Sequence, residues 1–400
     1  TALIVIVLSL IQACATSSQR RPVPEQYLAE VSIPGIETAR ISMSHIDFLV
    51  GLEQQERAAR LYPKVSRLAE GASLYPHFLA ISGGGAEGAF AAGLLTGWSE
   101  SGTRPTFQIV SGVSTGALIA PFAFLGPDYD HVLQTLYTTT DTKHILDKLG
   151  LVKIRRKAAL ADTAPLRAII ASAVDEEFLR KIAAEHHKGR RLIIGTTNLD
   201  SQQPVVWNMG AIADSGQIHA LSLFRDVMLA SASIPGVFPP ILIEVEANGR
   251  RFEEMHVDGG VSKQVFAYPP GMSVAELADR VGLETELSLY LIRNSKAVPE
   301  HRPVEMKLKN IAAASASMLL RSQGNSNITE TYEATERDGV KFHLAYIPSS
   351  FDEEPTEAFD HEYMTKLFEF SRQQAQQGYP WKDQPPWFKR ISAEDMLLRK

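Results

Sequence analysis

Phe107-Gln108-Ile109-Val110-Ser111-Gly112-Val113-Ser114-Thr115-Gly116-Ala117 is the stretch on which the fold turns. A short run of strand character leads into Gly-x-Ser-x-Gly, and an apolar segment over residues 117–125 follows until Gly126 and Pro127 stop it. Strand, tight turn and helix in that order are the context that a nucleophile elbow requires. At Gly112 and Gly116 a Cβ would meet a neighbouring strand or helix, so the turn needs glycine at both. The hydroxyl of Ser114 then sits at a helix N-terminus, where the helix dipole favours negative charge. A surface turn with a helix-capping serine is the competing reading.

Upstream, the strand-like Phe78-Leu79-Ala80-Ile81 runs into Gly83-Gly84-Gly85-Ala86-Glu87-Gly88, and Phe90, Leu94, Leu95 and Trp98 mark one face of a following helix. Glycines between a strand and a helix expose backbone N–H groups to an anion. The anion can be a phosphate, since residues 83–88 satisfy G-x-G-x-x-G, or the oxyanion of a tetrahedral intermediate. A dinucleotide fold expects an acidic residue at the end of the next strand. Here that strand ends in Ser111-Gly112-Val113-Ser114, and no Walker Lys-Ser/Thr pair follows the glycines, which favours the oxyanion. Downstream, Met255-His256-Val257-Asp258-Gly259-Gly260 reads as a strand ending in an aspartate and a glycine turn. Taken alone, Asp258 reads as an Asx-turn residue.

Other strand-like runs lie at residues 191–197, 204–208, 241–246, 287–293 and 340–347, with helical stretches between many of them. Residues 50–70 and 361–377 carry helical periodicity, the latter closed by Gly378 and Pro380. The alternation predicts an α/β fold, a three-layer α/β/α sandwich around a largely parallel sheet. Asp128, Asp130 and His131 read as a solvated loop, and Trp381 and Trp387 as core or edge packing.

The three glycine-bearing motifs, in this order, resemble the patatin-like phospholipase family. Gly88 lies 26 residues before Ser114, and Asp258 lies 144 after it. Residues 230–240, Ala-Ser-Ala-Ser-Ile-Pro-Gly-Val-Phe-Pro-Pro, are also similar to the family's segment ahead of the aspartate. The resemblance covers residues 77–270 and, more loosely, the strands to about residue 348. It implies a Ser114–Asp258 dyad, with Ser114 as nucleophile and Asp258 as general base, and an oxyanion hole from the backbone of Gly83, Gly84 and Gly85. Gly88, Gly112, Gly116, Gly259 and Gly260 are the motif glycines. The implied reaction is cleavage of acyl esters of phospholipids or lysophospholipids through an acyl-enzyme, without cofactor or metal. The sequence departs from the family where Glu87 replaces a basic residue, and where Gln264 and Phe266 replace Asn and Pro. Glu87 is expected to point outward. A triad using His256, two residues before Asp258, is a rival arrangement. A general carboxylesterase or thioesterase, or a silent lipid-binding lipoprotein, are the alternative functions.

Composition bounds the rest. The chain has 400 residues, 44% hydrophobic and 22% charged, with a net charge of −6. It is neither disordered nor a multi-span membrane protein by these fractions, and no basic block marks a nucleic-acid partner. No nucleotide is expected either. Cys14 is the single cysteine, which excludes an intramolecular disulfide. The apolar run at residues 2–8 is too short to span a bilayer. It has the character of a signal core, and Ile11-Gln12-Ala13-Cys14 resembles a bacterial lipobox. A generic secretion signal, or a buried arm with a free thiol, are the other readings. A basic flank and an initiator Met are absent, so a few residues are expected ahead of Thr1. Acylated Cys14 would anchor the chain in the bacterial envelope, and Ala15 after it favours the outer membrane, facing the periplasm. The expected organisation is a signal segment over 1–14, a tether over 15–35, a helical extension over 36–76, a catalytic core over 77–270 and a C-terminal extension over 271–400 completing the α/β fold.

Overall fold

The runs rich in β-branched and aromatic residues become the strands of a nine-stranded sheet. The computed structural model describes residues 20–41, 77–145, 147–148, 159–267, 286–298, 301 and 303–388. Cys14, the apolar run before it and the helix expected over 50–70 lie outside the described residues. The strands are β1 (Arg40–Ile41), β2 (His77–Ile81), β3 (Phe107–Val113), β4 (Arg191–Asn198), β5 (Gln203–Asn208), β6 (Ile241–Ala247), β7 (Arg250–Asp258), β8 (Ser288–Lys296) and β9 (Lys341–Ile347). The longer helices are α1 (Gly88–Glu100), α2 (Thr115–Leu125), α3 (Asp130–Thr138), α4 (Ala164–Ala173), α5 (Glu176–His187), α6 (Ala220–Ser231), α7 (Leu308–Asp338) and α8 (His361–Gln376).

Strands β4, β3, β2, β8 and β9 are parallel neighbours in that order. Strand β5 continues the sheet antiparallel to β4, and β1 follows it. Successive side chains of β2 go to opposite faces, as a strand requires. Leu79 and Ile81 join the core beneath α1, α2, α6 and α8, whereas Ala80 joins a second core with Leu289, Leu291, Leu344 and, from α7, Ile328 and Tyr332. Both faces are covered, so the strands read as near-continuous apolar runs. The result is the expected largely parallel sheet flanked by helices.

One feature of the register positions the site. Strand β3 pairs with β4 as far as Val113 opposite Gly195, then leaves the sheet into the turn at Ser114. Strand β5 holds the other edge of β4 throughout. The vacated edge is taken over by β7, whose Asp258, Val257 and His256 pair with Thr196, Thr197 and Asn198. The end of β7 is thereby set directly beyond the end of β3.

Asp130 is not a solvated loop residue: it begins α3, is buried, and pairs with Arg104 at 2.8 Å. Burial of a carboxylate is tolerated when a guanidinium compensates it. The tail tryptophans pack inward as expected. Trp381 lies 4.9 Å from the Trp98 ring, and Trp387 donates to Thr329 Oγ1 at 2.9 Å.

Candidate active site

Ser114 occupies the turn between β3 and α2 with φ 55° and ψ −124°, a backbone state that costs a non-glycine residue energy. The glycines on either side allow it. A Cβ on Gly112 would stand 2.2 Å from the Gly116 carbonyl oxygen, and one on Gly116 would stand 2.3 Å from that of Ile81. The strained peptide is also held from outside. The Ser114 N–H donates to Ser231 Oγ at 3.0 Å, and the Ser231 hydroxyl donates to the Gly195 carbonyl at 2.6 Å. Ser231 closes α6 inside the Ala-Ser-Ala-Ser segment and is fully buried. Its motif was legible in the sequence, but its clamp on the elbow was not, because the contact spans 117 residues.

Asp258 ends β7 and is 5% exposed. The Ser114 hydroxyl lies close enough to its carboxylate to pull the pKa down, and the Gly260 N–H donates to Oδ1 at 2.7 Å. The second contact is the Asx-type turn, so the modest structural reading of this aspartate holds alongside the contact with serine. Its own N–H donates to the Ser233 carbonyl at 3.0 Å, which ties it to the same segment that clamps Ser114. Burial pushes the carboxyl up to about 6, and the two contacts only partly oppose the shift. Gly259 and Gly260 turn the chain away immediately after it.

His256 is fully buried, and both ring nitrogens are engaged away from Ser114. Nδ1 meets Thr196 Oγ1 at 2.9 Å, and Nε2 meets Glu254 Oε2 at 3.0 Å. The Trp207 indole donates to Thr196 Oγ1, so the network assigns the Nε2–H tautomer, with Nδ1 accepting from threonine. The triad arrangement is therefore not the one formed.

The glycine loop packs against the serine. A Cβ on Gly83 would lie 3.1 Å from the Ser114 Cβ, and one on Gly84 would collide with the Asn294 carbonyl oxygen at 2.3 Å. Gly85 has φ 60° and lines the same cleft as Ser114. Gly88 opens α1 beside Thr115, with no room there for a side chain. Asn294, at the end of β8 and fully buried, holds the loop. Its Nδ2 donates to the Ser82 carbonyl at 2.9 Å, its N–H donates to Ser82 Oγ at 2.9 Å, and its Oδ1 accepts from the Ala91 N–H at 3.1 Å. No motif marked this residue, because it lies more than 200 positions from the loop it supports.

Glu87 does not point outward as expected. It is half-buried, and desolvation pushes its carboxyl up to about 7, against the pull of Arg321, Lys296 and Arg293. The basic charge that the loop lacks is thus supplied by β8 and α7.

From Ser114 a narrow cleft runs beneath the helices. Leu118, Leu166, Ile170, Met228, Phe238 and Met364 line it, contributed by α2, α4, α6, the segment after α6, and α8. It is apolar almost throughout, with a few polar groups converging at the Ser114 end, which is the usual form of a small-molecule site. Among the described residues no group of three or more His, Cys, Asp or Glu could hold a metal ion. No helix of the described residues is long and apolar enough to cross a membrane.

Residues 79–269 match the sequence model described as patatin-like phospholipase. No curated protein matches the chain significantly. Among solved structures, VipD from Legionella pneumophila superposes with a TM-score of 0.38 at 13% identity, over 76% of this chain and 67% of that one. A chain from the complex of full-length SpcU with full-length ExoU, of the Pseudomonas aeruginosa type III secretion system, gives a TM-score of 0.22 at 14% identity. That match covers 76% of this chain and about half, 52%, of the other.

Proposed function

We propose that the chain, whose residues 79–269 match the patatin-like phospholipase model, is a lipid acyl hydrolase that cleaves acyl esters of phospholipids or lysophospholipids through a Ser114–Asp258 dyad. The observation that carries this reading is the strained Ser114 beside a buried Asp258 carboxylate at the head of an apolar cleft.

In the proposed reaction the fatty acyl chain lies in the cleft, with its ester carbonyl carbon against Ser114 Oγ. Asp258 accepts the hydroxyl proton as Oγ attacks, forming the tetrahedral intermediate. A carboxylate of ordinary basicity is a poor partner for a serine. Burial raises that of Asp258 toward the range where proton transfer is effective. The N–H groups of Gly83, Gly84 and Gly85 receive the oxyanion, and losing one such donor costs about 3 kcal/mol in the transition state. The proton returns from Asp258 to the leaving alcohol. Water then attacks the acyl-Ser114 ester by the same route and releases the fatty acid. Hydrolysis needs no imidazole in this scheme, in keeping with the engagement of His256 elsewhere.

The apolar lining of the cleft favours a hydrocarbon chain over a polar acyl group. A series of matched esters separates the lipase reading from a general carboxylesterase: kcat/KM should climb with chain length for the first and stay flat for the second. Fluorophosphonate labelling tests the dyad. The parent should label, whereas Ser114→Ala and Asp258→Ala should not. Labelling that survives Ser114→Ala, or esterase activity equal to the parent, removes the assignment. Failure of a well-folded parent to label would favour a silent lipid-binding protein.

We also propose that Cys14 is acylated and anchors the domain to the bacterial envelope; the tether expected over 15–35 is shorter than that, because Val23 and Ile33 are buried in the core and Ser32 pairs with Glu246. Each buried methylene contributes about 0.8 kcal/mol to membrane attachment, so two or three chains would hold it firmly. Radiolabelled palmitate should enter the parent in its bacterial host and be absent from Cys14→Ala.

A further inference from the structure

We propose that residues 308–320, the amino-terminal part of α7, enter the surface of the lipid bilayer that holds the substrate. The inference rests on the reading that the substrate is a membrane lipid, and it adds where the membrane meets the protein.

Helix α7 has two unlike parts. From Gln323 onward it is bound into the molecule. Gln323 Nε2 donates to the Ser262 carbonyl at 2.8 Å, Asn327 Oδ1 accepts from the Gln264 N–H at 2.9 Å, Asn325 Oδ1 accepts from Arg293, and Ile328 and Tyr332 are buried against the sheet. Ahead of Gln323 the helix is bare. Leu308 is 86% exposed, Met318 72% and Leu319 71%, with Ile311 at 47%, and Met306 just before the helix is 97% exposed. A group of large apolar side chains left in solvent marks an interaction surface.

Three observations choose a lipid surface as the occupant. First, Leu308, Ile311, Met318 and Leu319 recur at i, i+3, i+10 and i+11, so they share one side of the helix, while Asn310, Ser317 and Arg321 fall on the opposite side and Leu320, 46% exposed, borders it. A short helix of this pattern lies in the plane of a bilayer surface with its apolar side sunk below the headgroups. Second, no acidic residue occurs between Glu305 and Glu330, whereas Lys307 and Lys309 are basic, which suits anionic headgroups. Lys307 also reaches Glu305, at 2.7 Å. Third, the segment is continuous with the rim of the candidate active site. Gln323 holds the carbonyl of Ser262, in the turn that follows Asp258, and Val261 of that turn is itself 44% exposed. At about 1.5 Å per residue, Met318 stands only about 7 Å along the helix from Gln323. A lipid at this surface therefore meets the helix that holds the turn after Asp258.

The test uses the full chain with Cys14→Ala, so that no acyl anchor contributes, with and without Met318→Glu plus Leu319→Glu. Binding and hydrolysis are measured on vesicles of phosphatidylcholine with phosphatidylglycerol, and on a soluble short-chain ester. The double variant should lose vesicle binding and vesicle hydrolysis by at least about tenfold and keep its rate on the soluble ester. A fluorophore placed by Ser315→Cys, on the apolar side and in a chain then free of other cysteines, should shift to the blue when vesicles are added. Equal vesicle binding by both proteins, or a fluorophore that does not respond, overturns the proposal. So does a double variant that merely changes from dimer to monomer, since a second copy would then be what covers the helix. If the soluble ester is not hydrolysed by the parent, the hydrolase reading fails instead, and vesicle binding and fluorescence still decide this one.

Discussion

Asp258 and Glu254 stand four residues apart on β7, both almost fully buried, and burial alone would raise both. Asp258 is pushed up to about 6, because a serine hydroxyl and one backbone N–H are all that oppose its desolvation. Glu254 ends near 2, because its hydrogen bonds with His256 and Arg40 outweigh the same desolvation. The Arg40 guanidinium lies 4.8 Å from the centre of the Trp207 ring, so its place is packed as well as paired. One carboxylate is held as a permanent anion that ties β1 to the sheet. The other is left poised near neutrality beside a strained serine. Two carboxyl groups on one strand thus differ through their partners alone, which is how a single fold can keep a structural acid and a reactive one in close company.

Exchanging each group for its amide tests that contrast most strongly. Asp258→Asn should lower kcat/KM about 10³-fold, within the range expected for a lost general base. Glu254→Gln should leave the activity of the folded enzyme nearly unchanged. Ester hydrolysis by matched amounts of folded protein decides it, and a comparable loss in both variants would break the comparison.

Stability should respond in the opposite sense. The folded-state pKa of Asp258 lies above its unfolded value of 3.8, so the folded state binds the extra proton. The resulting cost is absent below about pH 4 and fully present above about pH 6, where a shift of roughly two pKa units corresponds to about 3 kcal/mol. Asp258→Asn should therefore melt above the parent at pH 8 and close to it at pH 4. Glu254 is the reverse case. Its folded pKa is depressed, so its contribution is present above about pH 4.5 and fades as the pH falls toward 2. Glu254→Gln leaves a buried guanidinium unpaired and should cost about 3 kcal/mol at pH 7. Thermal denaturation at the three pH values checks all of this.

Activity should also follow the titration of Asp258. Only the ionised carboxylate accepts the serine proton, so kcat/KM should rise about tenfold per pH unit below about pH 6 and level off above it. A profile centred near 4 would mean that the group is not desolvated in solution. The smallest effect is expected at His256. His256→Gln should stay within a few-fold of the parent, because the imidazole belongs to the Thr196–Glu254 network and not to Ser114. A loss as large as that of Asp258→Asn would reinstate a histidine triad.

The local parts of this site were readable from the amino acids because local sterics and hydrogen bonding create them. Residues 107–117 read as strand, turn and helix, and they are β3, Ser114 and the start of α2, since only glycine at 112 and 116 lets a strand reverse so tightly into a helix. Residues 191–197, 241–246 and 287–293 became β4, β6 and β8 with shifts of a residue or a few at their ends. Asp258 read as a turn residue, and it does accept the Gly260 N–H. Glu87 was misread because its surroundings come from elsewhere in the chain: Arg293 and Lys296 of β8 and Arg321 of α7. Asn294 carried no signal at all, and Ser231 only its segment's likeness to the family, since an asparagine and a serine look alike whether they face solvent or pin a catalytic loop.

What the amino-acid sequence determined by itself were the elements whose cause lies within about ten residues: the alternating strands and helices, the glycine turns and the serine at the elbow. What only the tertiary structure decided was which distant groups meet. The register of β4, which pairs with β3 as far as Gly195 and with β7 from Thr196, brings residue 258 to residue 114. The packing of α2, α4, α6 and α8 makes the apolar cleft. Desolvation then sets the ionisation of Asp258 and Glu87 apart from that of Glu254. Burial and charge pairing depend on everything within several ångströms in space, whereas a stretch of sequence specifies only what is near along the chain.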